Sequence, residues 1–217
     1  MMTSLFSTFD PSSFKMQMNW IMMTSTLMIM PLNFWMSKSR WIKTKKIIEN
    51  KIISEFKSIT THKEILIMTK SMFVMILVIN IMGLFPYTFT PTSHISLTLS
   101  MALPMWMMMM IYGWTKFTNN MFMHMLPMGT PYPIMPMMII IETTGNIIRP
   151  ISLSVRLMAN MLAGHLLMTL LGNLNELNMM ILTFPIKMML MSFETAISII
   201  QAYVFSTLIT LYSSEIP

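Results

Sequence analysis

The run PMMIIIETTGNIIRPISLSVRLMANMLAGHLLMTLL, residues 136–171, is apolar along most of its length yet carries Glu142, Asn146, Arg149, Arg156, Asn160 and His165. A second run, NMMILTFPIKMMLMSFETAISIIQAYVFSTLITLYS (178–213), follows the polar turn GNLNELN (172–178) and carries Lys187, Glu194 and Gln201. Each run is roughly 35 residues, about 50 Å as helix at 1.5 Å per residue, against a hydrocarbon core about 30 Å thick. Such helices must tilt, bend or protrude, and Pro150 offers the first a place to bend. The short turn between them makes the pair a long tilted antiparallel hairpin.

Working outward, the chain of 217 residues is 54% hydrophobic and only 10% charged, with a mean hydropathy of +0.64. Soluble domains carry about 25% charged residues, so an integral membrane protein is implied and intrinsic disorder is excluded. The absence of cysteine rules out disulfides, a thiol nucleophile and thiolate metal sites. The 34 methionines are spread over every apolar segment, where they fill lipid-facing positions in place of Leu or Ile. Their spread argues against a methionine-rich copper or peptide surface.

The first fourteen residues contain no basic residue ahead of an apolar run and read as neither a secretory signal nor a transit peptide. A membrane helix is expected over 16–35, with Trp20 and Trp35 at its interfaces. Nine of the fourteen basic residues lie between Lys38 and Lys70, and Ile48, Ile52, Phe56 and Ile59 recur there at spacings of three and four. This predicts an amphipathic helix over 38–62 lying along the membrane surface. A nucleic-acid-binding arm is disfavoured, because the segment lies between two spans and has no aromatic-basic motif. Further membrane helices are expected over 65–85 and 95–114, then a proline-rich connection (127–136) and the hairpin. The fold class is therefore all-α: five membrane helices plus one amphipathic surface helix. The positive-inside rule places the basic segment and the C-terminus on the cytoplasm-equivalent side, with the N-terminus opposite.

Ionisable groups within a membrane cost several kcal/mol and mark ion or substrate paths. At 100° per residue, Arg149 falls within about 20° of Arg156, and Glu142 and Asn160 within about 40°, whereas His165 points the opposite way. Lys187, Glu194 and Gln201 are spaced by sevens and share a face. Folded about a turn centred near residue 179, the hairpin sets Arg156 level with Gln201 and His165 level with Glu194. Glu142 then falls near Glu215. His and Glu exchange protons near neutral pH in suitable surroundings, but Arg does not release its proton in a protein. The polar track is thus a proton path broken by a fixed positive charge, which calls for a mobile external carboxylate to carry protons past the break. Bland roles compete: Lys187 and Arg149 can snorkel to the interface, and His165 can be a packing residue. No phosphate loop, dinucleotide fingerprint or HExxH motif is present. The four histidines are too scattered to suggest a metal site, and no cofactor is expected.

SLSVRLMANMLAGH (152–165) resembles the core motif of subunit a of F-type ATP synthases, with Arg156 at the family's essential arginine and Asn160 four residues on. Glu142 matches a family glutamate fourteen residues before that arginine, and FETAISIIQAYVF (193–205) resembles the last helix, giving Glu194 and Gln201. NIMGLFPY (80–87) and LPMGTP (126–131) are similar to two further family stretches, and LFSTFDP (5–11) and LYSSE (211–215) to mitochondrial, arthropod-like members. Lys187 departs from the pattern, which has an apolar residue there, and Met158 stands where bulkier or polar residues are common.

The resemblance implies a proton-translocating stator subunit of the mitochondrial inner membrane, with its N-terminus in the intermembrane space and its C-terminus in the matrix. Two offset half-channels, one near His165 and Glu194 and one near Glu142, would serve the carboxylates of a rotating c-subunit ring. Arg156 would separate them, supported by Asn160 and Gln201. Protons, the ring, other stator and membrane subunits and the lipid bilayer are the implied partners; nucleic acid is not. The chain would have no nucleotide site and belong to an enzyme only through its complex. The alternatives are a membrane subunit of a proton-pumping respiratory oxidoreductase, for which haem-ligand His pairs or regularly distributed Lys and Glu are missing, and a purely structural anchor.

Overall fold

Residues 5–12, 16–24, 39–60, 63–85, 88–126, 129–173 and 180–214 are described by a computed structural model. Among them there are six α-helices and no strand element: α1 (Arg40–Ile59), α2 (Lys63–Gly83), α3 (Ile95–Lys116), α4 (Thr118–Met125), α5 (Met135–Asn173) and α6 (Met180–Ser214). Four of these, α2, α3, α5 and α6, are long and apolar enough to cross a membrane. Most of the helix expected over 16–35 lies outside the described residues; the described part forms a short 3-10 helix, Met18–Met23. Both the turn after Asn173 and Glu215 also fall outside them. Helix α4 was not anticipated. Its eight residues are half polar, too short for a periodic apolar signal.

The two hairpin helices run unbroken through Pro150 and Pro185, so both prolines are absorbed within α-helix. Pro150 has no N–H to give, which deprives the Asn146 carbonyl of its helical donor. At 39 and 35 residues the helices are about 58 and 52 Å long, well beyond a bilayer core.

Two packing layers hold the bundle. Helix α6 presents Ser198, Ala202, Ser206, Thr210 and Ser213, all nearly or fully buried, and α2 packs along α6. Thr69, Phe73, Ile76 and Asn80 form the buried stripe of α2. Lipid supplies no hydrophobic drive between membrane helices, so small residues that let backbones approach carry the association. Their hydroxyls are satisfied within the helix: Ser198 donates to the Thr195 carbonyl at 2.8 Å and Thr210 to that of Thr207 at 2.7 Å. Burying them therefore strands few polar groups. On the other side α3 packs against α5 through Leu97, Met101, Met105 and Met109, with Leu153, Leu157 and Met161 buried on α5. Methionine at every fourth position of α3 fits an irregular helix surface without branching.

Helix α1 docks on α2 and α6. Its anchor is Phe56, fully buried, with ring centroids 6.4 Å from both Phe73 and Tyr203. The Tyr203 hydroxyl also donates to Glu55 at 3.2 Å. Of the expected apolar stripe, Phe56 is buried and Ile52 and Ile59 are half-buried against the protein, whereas Ile48 is 59% exposed. A four-residue step overshoots a helical turn by about 40°, so two steps back from Phe56 carry Ile48 about 80° off the packed face. Lys45 and Glu49, eleven and seven residues before Phe56, come closer to that face and are half-buried.

Candidate functional site

Helix α5 brings the polar residues to three levels along the hairpin. Toward the turn, Asn160, Gly164 and His165 of α5 and Glu194 of α6 line one cavity of about 270 Å³. Glu194 is only 8% exposed. Its Oε1 and the Nε2 of His165 are buried with no hydrogen-bond partner in the described structure. Such a cavity has room for water, and two unpartnered polar atoms give water something to bind. His165 and Glu194 are thus brought together, as the hairpin register predicts. At the same end the N-terminal segment closes in. The Phe9 ring meets the His165 ring edge-on at 6.4 Å, and the Phe9 carbonyl lies 3.0 Å from Nε2 of His94.

The absence of a side chain at Gly164 makes room for Glu194. A Cβ there would stand 3.2 Å from both Cδ and Oε1 of the carboxyl group. Gly164→Ala is expected to push the Glu194 head group aside and slow ATP-driven proton uptake several-fold while the complex still assembles. Uptake by reconstituted vesicles, compared with the unsubstituted complex, tests this. An unchanged rate would show that the position of Glu194 does not matter.

One level further, Asn160 donates through Nδ2 to Gln201 Oε1 at 2.8 Å. The rung that joins the two helices is therefore Asn160–Gln201, one turn nearer the hairpin turn than the expected Arg156–Gln201 level. Equal residue counts from a turn locate partners only when helices run strictly parallel, and long tilted ones do not. Arg156 lies on the exposed face of α5 with Ser152, Val155 and Ala159. Among the described residues it makes no hydrogen bond or ion pair, whereas Arg149 is engaged.

Toward the chain's end, Glu142, Asn146 and Arg149 of α5 line a second, smaller cavity of about 50 Å³ with Tyr212 of α6 and His124 of α4. Arg149 lies 4.0 Å from Glu142 and its guanidinium stacks over the Tyr212 ring at 4.9 Å, within cation–π range. The sequence reading missed His124 and Tyr212 here. Tyr212 has a visible signal, an amphipathic aromatic at the end of a membrane run, whereas His124 has none without α4. The two cavities share no lining residue, and on α5 Arg156 falls between them in sequence. Among the described residues no three His, Asp or Glu side chains gather as a metal site.

Comparison with known proteins gives this arrangement a family. The ATP synthase A chain family matches residues 16–214. ATP synthase subunit a of Locusta migratoria is 49% identical over 224 residues, covering all of both chains. The subunits a of Drosophila melanogaster and Anopheles gambiae are 47% and 44% identical, again end to end. The oxidoreductase reading is not favoured by these matches. A match over nearly the whole chain, with the polar residues of SLSVRLMANMLAGH set out around the hairpin as described, means that the chain belongs to the ATP synthase A chain family and resembles its insect members.

Proposed function

We propose that the chain conducts protons through two offset half-channels to the carboxylates of a rotating c-subunit ring, with Arg156 as the charge barrier between them. Family membership and four membrane-length apolar helices make it a multi-pass subunit of the mitochondrial inner membrane and of the proton-translocating sector of ATP synthase. The finer reading is carried by one observation: two separate cavities, one holding His165 and Glu194 and the other Glu142, have no common lining residue, and an exposed arginine falls between them along α5. Protons enter from the intermembrane space beside His165 and Glu194 and neutralise a ring carboxylate. After nearly a full turn in lipid, that carboxylate releases its proton beside Glu142. Arg156, which keeps its own proton, draws the ionised carboxylate past and blocks a direct path. A membrane potential supplies about 2.3 kcal/mol per charge per 100 mV, which sets the direction. The proximity of Phe9 to His165 and of Tyr212 to Arg149 supports opposite ends of the hairpin for the two termini, N-terminus outward and C-terminus in the matrix.

The chain has no cysteine, so single cysteines can report which aqueous side reaches each cavity. A membrane-impermeant thiosulfonate is expected to modify Ala163→Cys only from the intermembrane-space side and Asn146→Cys only from the matrix side of oriented vesicles. Modification of both from one side would overturn the two half-channels. The complex should also copurify in mild detergent with a small carboxylate-bearing ring protein.

A further inference from the structure

Helices α1 and α2 enclose a groove of about 470 Å³ that the proton path does not use. The volume lies within the range of small-molecule sites, about 300–1,000 Å³. Its α2 wall is graded, running from Lys70 to Phe73, Val74 and Leu77, while on the α1 wall Lys45 and Glu49 stand on either side of Ile48. The gradient follows α2 from Lys70, near its start, toward the middle of a membrane-length helix. Lys70 Nζ lies 2.9 Å and Lys45 Nζ 3.7 Å from the Glu49 carboxylate, so the side chains lining the groove include two ammonium groups and one carboxylate. Ile48 is turned off the α1 packing face and into this groove, as the fold requires.

We propose that the groove is a binding site for one anionic phospholipid, its phosphate on Lys45 and Lys70 and an acyl chain along Ile48, Phe73, Val74 and Leu77. The order of chemistry along α2, cationic at Lys70 and then apolar toward the middle of the helix, is the order of chemistry along such a lipid. An apolar helix of another subunit matches the apolar lining but not the charged side chains. The proposal rests on the reading of α1 as a helix at the membrane surface, not on the proton path.

The test uses the whole complex in phosphatidylcholine nanodiscs doped with phosphatidylglycerol that carries a photoactivatable group in its acyl chain. Adducts are expected on Phe73, Val74 or Leu77, and a matching phosphatidylcholine probe should label them far less. Lys45→Gln with Lys70→Gln should lower the phosphatidylglycerol labelling roughly five-fold per lysine removed. Val74→Trp, which fills the groove with its charges intact, should abolish it. Equal labelling by the neutral probe, labelling unchanged in either variant, or a peptide of another subunit crosslinked in the groove would each overturn the proposal. ATP-driven proton uptake, measured on the same samples, is expected to persist in all variants, so loss of lipid labelling and failure of the proton-path reading are told apart.

Discussion

Vesicles containing the complex with Arg156→Gln are expected to show no ATP-driven proton uptake, although the complex assembles and retains its ring. An arginine at the centre of a membrane helix costs about 2.5–3.5 kcal/mol on insertion scales, and a glutamine relieves that cost, so the substitution should not harm folding. What disappears is the attraction for an ionised carboxylate on the facing ring. If that attraction is comparable to the insertion cost, its loss corresponds to about 10²-fold in rate, which takes coupled uptake to background. A second reading separates this from a mere slowing. With no fixed charge between the two cavities, protons can cross without rotation, so passive proton leak through the membrane sector should rise. Arg149 cannot substitute, because it is held by Glu142 and Tyr212 at the level of the second cavity. Normal uptake by the variant would make Arg156 a bystander and remove the central element of the proposed path.

The same contrast between Arg149 and Arg156 shows how far the sequence could be read. Both lie in one apolar run, seven residues apart and so on one helix face, and periodicity alone gives them equal claims. What separates them is their partners. Arg149 is held by Glu142 on its own helix and by Tyr212 from the far end of α6, about sixty residues away in sequence, while Arg156 faces outward. Helix existence was legible because apolar length is a strong signal, and the bounds of α2, α3, α5 and α6 follow the expected runs closely. The placing of His165 and Glu194 on one cavity was legible because a short turn fixes the register of a hairpin to within a turn of helix. The residual error, Asn160 rather than Arg156 opposite Gln201, is one helical turn, the amount by which tilt defeats simple counting. Asn80, within the family-like stretch NIMGLFPY, is fully buried, with no hydrogen-bond partner for its side chain in the described structure, and nothing in its local sequence signals that burial. His124 needed α4, and a helix of eight residues leaves too short a pattern to recognise.

Glu194→Gln is expected to lower ATP-driven proton uptake by about 10²-fold, the scale of a lost acid–base group, without opening a leak. Glutamine keeps nearly the shape of the side chain and can still fill the space that Gly164 leaves, so assembly and helix packing should survive. It cannot accept and release a proton. His165 remains in the same cavity, but as a single group it must both load from water and deliver to the ring, and the handover between two titrating groups is lost. Glu194→Asp distinguishes chemistry from volume. It preserves the carboxyl group, withdraws it by about one methylene, and should recover a large part of the rate, because water in the cavity can span the gap. The leak is the feature that separates this site from Arg156. Passive proton conduction should fall with Glu194→Gln and rise with Arg156→Gln, since one substitution closes an inlet and the other removes a barrier. If both variants changed the leak in the same direction, the assignment of inlet and barrier to these two residues would not stand.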